Sequence, residues 1–188
     1  MKPGSGGKKG RRFEWEQARL FSRWVTKGQD DTQLRPSVLS GGWSKKVARQ
    51  QGDLSPTGPS GEWFCRHFIV ECKHHRTIDF WHTWTQKPGP TNLLGWWAHL
   101  QTLPPIRDKT HCPLIIFRAN NRPLMLGLLA PLIERLRQRG EFRSLLLPHV
   151  SLAVMDLGMF LAFPPKWVFK QVQDLTETPT PEESPPPR

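Results

Sequence analysis

Glu71 and Lys73 stand two positions apart in FIVECK (68–73), directly after an apolar run. Side chains alternate along a strand. A strand here puts Phe68, Val70 and Cys72 on one face and Ile69, Glu71 and Lys73 on the other. One face is then core-like, and the other brings a carboxylate and an amine together. A solvent-exposed ion pair on an edge strand is the plainer account of such a pair, and contributes little. Asp53, in QQGDLSP, adds chemistry. On a strand or turn beside 66–73 it would reach Glu71, and neighbouring carboxylates repel unless something positive lies between them. A divalent metal with oxygen ligands meets that need, so Asp53 and Glu71 are candidate ligands for Mg2+, with Mn2+ as a substitute. Such an ion polarises a phosphoryl oxygen and helps to generate hydroxide. Lys73 would orient the attacking water or stabilise charge at phosphorus. The alternative for Asp53 is ordinary turn chemistry in a Gly-Asp pair.

The elements that must position these residues are read from periodicity. Residues 11–27 predict an amphipathic helix, with Phe13, Gln17, Leu20, Phe21 and Trp24 on one stripe and Gly28 as its stop. Glu14 and Glu16 flank that stripe on opposite sides. Glu16 has Arg12 four residues before it and Arg19 three after, so a salt bridge explains it. Glu14 has Gly10 and Ala18 four residues away on either side, which leaves it the better candidate to point into a site. Residues 28–61 read as loop, 63–73 as a strand, 91–103 as a second helix. Residues 113–129 read as two strands joined at Asn120-Asn121, 131–140 as a short helix, and 145–163 as a strand and a short helix. Helices and strands in this order predict a mixed α/β domain.

The chain has 188 residues, a formal net charge of +11 and nineteen Pro. Residues 1–50 hold twelve Lys/Arg against four Asp/Glu, which predicts a polyanionic partner, nucleic acid before membrane. RPSVLSGGWSKK (35–46) offers small residues, hydroxyls and bases for phosphates. Arg35, Ser37, Ser40, Ser44, Lys45 and Lys46 come from it, and Arg12 and His74 join them as candidate DNA contacts. Trp15 and Trp43 are candidates for stacking on bases. The spacing of a Walker loop is absent. Three cysteines at irregular spacing do not make a secreted disulfide framework, no apolar run follows the basic N-terminus, and no convincing membrane span is present. A cytoplasmic location is expected. Cys65, His67, Cys72, His74, His75, His82, His111 and Cys112 raise a zinc-binding or catalytically inactive nucleic-acid-binding module as the alternative, although no close Cys pair exists.

Taken together, these motifs resemble the PD-(D/E)xK nuclease superfamily, and most closely archaeal-type Holliday junction resolvases and related phage-encoded endonucleases. KGRRFEWE matches the family's opening motif, with Glu14 as its active acid; Asp53 matches the metal-binding aspartate, and Glu71 and Lys73 the strand-borne Glu-x-Lys. SVLSGGWS, LLGWW and IIFRANNRPLML extend the likeness over roughly residues 8–130. Gly52 stands where Pro is usual, Trp15 where the resolvases carry Arg, and the span from Asp53 to Glu71 is longer than in compact resolvases. The resemblance implies a restriction-endonuclease-like core with a mixed central sheet flanked by helices. It implies a Mg2+-dependent endonuclease on duplex or branched DNA, with Asp53, Glu71 and Glu14 as metal ligands and Lys73 on the nucleophilic water. A homodimer would fit the cutting of two strands. Residues 1–10 are expected to be a flexible basic arm, 11–170 the nuclease-like domain, and 171–188 a disordered tail rich in Pro and Glu.

Overall fold

A computed structural model describes residues 5–37, 52–78, 89 and 92–177. Ser40, Trp43, Ser44, Lys45, Lys46 and His82 lie outside the described residues, as does the tail beyond residue 177.

The first helix, α1 (Ser5–Val25), starts before the expected residue 11. Phe13, Ala18, Phe21 and Trp24 form its buried stripe, as helical spacing predicts. Two short strands, β1 (Leu34–Pro36) and β2 (Leu54–Pro56), pair antiparallel. The strand expected over 63–73 divides into a helix, α2 (Pro59–His67), and a strand, β3 (Phe68–His75). Pro59 stands at the first turn of α2, where its missing N–H costs nothing.

From β3 the chain passes through α3 (Leu93–Gln101) and α4 (Pro104–Arg107) to β4 (Cys112–Ala119), which runs parallel to β3. A crossover is what parallel neighbours require. The turn around Asn120-Asn121 leads to β5 (Met125–Leu129), antiparallel to β4, and then to α5 (Ala130–Arg137). β6 (Ser144–Leu147) and β7 (Leu152–Asp156) complete a five-stranded mixed sheet of order β3-β4-β5-β7-β6. α6 (Leu157–Leu161) and α7 (Pro165–Thr176) follow. α7 continues through residue 170, the expected limit of the domain, because Val168, Phe169 and Val172 are buried in the core.

The sheet is covered on both faces. Phe68, Val70 and Cys72 of β3 pack in one cluster with residues of α1, α2, α5, α6 and α7. Ile69 packs in the other with Leu93, Trp96 and Trp97 of α3 and with Ile115 and Phe117 of β4. This is an α/β fold with a mixed central sheet flanked by helices, an arrangement compatible with a restriction-endonuclease-like core. Among the described residues no helix is long and apolar enough to cross a membrane.

Candidate active site

β3 is an edge strand of the five-stranded sheet, so one side of its backbone is free for another partner. The chain before β2 takes it. The Asp53 N–H donates to the Val70 carbonyl at 2.7 Å, and the Cys72 N–H donates to Asp53 Oδ2 at 2.7 Å. One aspartate thus satisfies two edge groups of β3 and is fixed beside Glu71.

Gly52 makes this approach possible. Its φ of +100° lies in the left-handed region, and a Cβ there would sit 2.8 Å from the Val70 carbonyl oxygen. Glycine alone meets both conditions without strain. We expect Gly52→Ala to cost about 1–3 kcal/mol of stability. Thermal unfolding checks this, and unchanged stability would contradict the tight approach.

Glu71 and Lys73 form an ion pair whose side chains are only 16% and 28% exposed, so the solvated edge pair allowed by the sequence is not what forms. They lie on the α3 face of β3, with His75, which stacks on Trp96 at a ring distance of 4.7 Å. Glu14 enters from α1. Its Oε2 is buried and has no hydrogen-bond partner among the described residues. One turn later Gln17, 2% exposed, has its Oε1 in the same condition. Gln17 reads as part of the apolar stripe, and the break in that stripe's apolar character is the signal that marks it.

The electrostatics tie the four residues into one site. Burial, then the charge of Glu71, and more weakly that of Glu14, push the Asp53 carboxyl up to about 7; the Cys72 N–H and Lys73 oppose them. Glu14 is also raised, first by burial; Arg11 pulls it down, Glu71 pushes it up and Lys73 pulls it down. Arg11 stands three residues before Glu14 and belongs in its sequence environment. Burial would lower Lys73, but the charge and hydrogen bond of Glu71, with Asp53 behind, outweigh it and hold the ammonium above its usual range. Lys73 is therefore protonated at neutral pH, which suits it to donate a hydrogen bond and not to act as a base.

Glu16 is occupied elsewhere. It binds Arg12 at 3.2 Å, as its spacing predicts, and Arg118 at 3.5 Å. Arg35 is exposed on β1, but Ser37 is 2% exposed and its hydroxyl meets that of Ser55 at 2.7 Å, so Ser37 holds the β1–β2 pair and is not presented to phosphates. His74 lies on the face opposite Lys73, its ring 5.1 Å from that of Phe13. Burial, then Lys9 and Arg118, lower its pKa, so it offers no positive charge at neutral pH. Trp15 is 43% exposed.

Among the described residues no group of three His, Cys, Asp or Glu side chains stands ready as a metal cage. The reason at this site is visible: one Asp53 oxygen is turned to the Cys72 amide and the Glu71 carboxylate to Lys73. The donor set still fits a hard cation. Three carboxylates that interact electrostatically, two of them raised by burial and mutual repulsion, and one enclosed oxygen without a partner are what such an ion relieves. The zinc set is dispersed: Cys72 and Cys112 are buried in the apolar core beside α1, whereas His75 stacks on α3.

The chain matches no family model, no curated protein and no solved structure.

Proposed function

We propose that this chain is a metal-dependent DNA endonuclease that hydrolyses phosphodiester bonds, with branched DNA among its substrates. The observation that carries the reading is the meeting of Glu14, Asp53, Glu71 and Lys73, from three separate segments, at β3, the edge strand of the sheet. The net charge of +11 supports a polyanionic substrate.

Asp53, Glu71 and Glu14 would hold Mg2+ or Mn2+, which supplies Lewis acidity and a more acidic bound water. Asp53 is pre-set for this by the Cys72 N–H, which fixes the plane of its carboxylate. Lys73, held protonated, donates to the attacking oxygen or to a phosphate oxygen as negative charge builds there. Partial burial of Glu71 and Lys73 reduces the screening of that donor. A homodimer would set one such site on each strand of a branched or duplex substrate.

The test is incubation of purified protein with linear duplex, branched and single-stranded DNA, in Mg2+ and in chelator. Cleavage of at least one substrate in Mg2+ alone is expected. No cleavage of any of them would leave a nucleic-acid-binding protein without this activity.

A further inference from the structure

Beyond Lys73, β3 and β4 end at a cavity of about 530 Å³ that the four-residue site does not use. Its accessible apolar wall is Met125 and Ile78, both half-buried; Phe117, also at the cavity, is 1% exposed, and all three are continuous with the α3-side core. Arg76 and Arg122, both exposed, stand on its rim, and no acidic side chain among the described residues lines it. Neither guanidinium has an ion-pair partner among the described residues, whereas Arg118 is committed to Glu16. The volume falls in the range of small-ligand sites. Arg76 follows Lys73 by three residues on an extended chain, which is about 10 Å at strand rise. That is roughly three steps of a B-form strand and fewer of a stretched one.

We infer that this cavity seats one unpaired nucleotide within about three steps of the scissile phosphate, with its base against Met125 and Ile78 and its phosphates on Arg76 and Arg122. The inference rests on the nuclease reading and narrows its substrate to DNA with a single-stranded segment. An apolar wall takes any base by its face, and the guanidiniums take the backbone. A closed duplex keeps its bases stacked and paired, so it reaches the rim but not the wall.

The test uses the full chain in chelator, so that binding is read without cleavage. The probes are a fluorescent oligothymidylate and a blunt duplex with the same number of phosphates. Removing both rim charges in Arg76→Ala/Arg122→Ala is expected to lower the slope of log affinity against log salt on the single strand by about 1.4, from about 0.7 per contact. Ala119→Trp, which fills the cavity without changing charge, is expected to weaken the single strand about tenfold, with its salt slope and the duplex affinity unchanged. Equal weakening of both probes by Ala119→Trp, or no change in either, overturns the pocket. Lower thermal stability of Ala119→Trp with unaltered oligonucleotide binding also overturns it, by assigning the cavity to the chain's own packing. Selective loss of single-strand affinity in a protein that never cleaves DNA keeps the pocket and removes the nuclease reading; cleavage with no such selectivity does the reverse.

Discussion

Asp53→Asn is expected to stabilise the metal-free protein at pH 8 while removing its proposed activity. The Asp53 carboxyl sits at about 7 in the fold against an ordinary value of 3.8. The folded state therefore holds this proton more tightly than the unfolded chain. Its stabilising contribution is fully present below about pH 4 and is lost as pH rises through about 7. A gap of about three pH units corresponds to roughly 4 kcal/mol. Asparagine removes that penalty and keeps an oxygen for the Cys72 N–H. Denaturant unfolding in chelator should show the two proteins nearly equal at pH 4 and the variant more stable, by an amount of order 4 kcal/mol, at pH 8. A variant less stable than wild type at both values would mean that Asp53 is a structural anchor, not a strained ligand. The combination of greater stability and lost function is the pattern of a site held ready at the fold's expense.

Lys73→Ala is expected to lower the rate of cleavage by about 100- to 1,000-fold, the usual cost of one preorganised donor. Affinity for DNA in chelator should change far less, because one charge among the many cations of this chain is removed. The wild-type rate should show no loss on the alkaline side attributable to Lys73 near neutrality, since Glu71 and Asp53 hold its ammonium above the usual range. Single-turnover rates across pH measure both points. Retained activity in Lys73→Ala, or a rate that rises as Lys73 loses its proton, would mean that Lys73 is not the donor to the reacting oxygens.

Much of the site could be read from residue types and spacing. Strand alternation put Glu71 and Lys73 on one face, and the structure places them there with Ile69 on the α3 side. Helical spacing separated Glu16, which meets Arg12, from Glu14, whose oxygen remains without a partner among the described residues. What the sequence hid is how Asp53 is held: its N–H donates to the Val70 carbonyl and its carboxylate accepts from the Cys72 N–H, so both partners on β3 are backbone groups common to all residues, and only Gly52 hinted at a close approach. α2 was concealed because Trp63 and Phe64 favour strands and run on into Phe68, Ile69 and Val70, while its start depends on Pro59. Pro165 begins α7, whose stripe is held by burial beyond the expected end of the domain at residue 170. His74 shows the limit of neighbourhood in sequence: one position after Lys73, it faces the other side of the sheet.

The most direct measurement is the single-turnover cleavage rate of a branched DNA as Mg2+ is removed by chelator and restored, for wild type, Glu14→Gln and Glu71→Gln. Cleavage by wild type should vanish and return with the ion, and both variants should cleave at least about 100-fold more slowly with unaltered folding. Wild-type levels of cleavage in Glu71→Gln, or cleavage that persists in chelator, would contradict a metal held by these carboxylates.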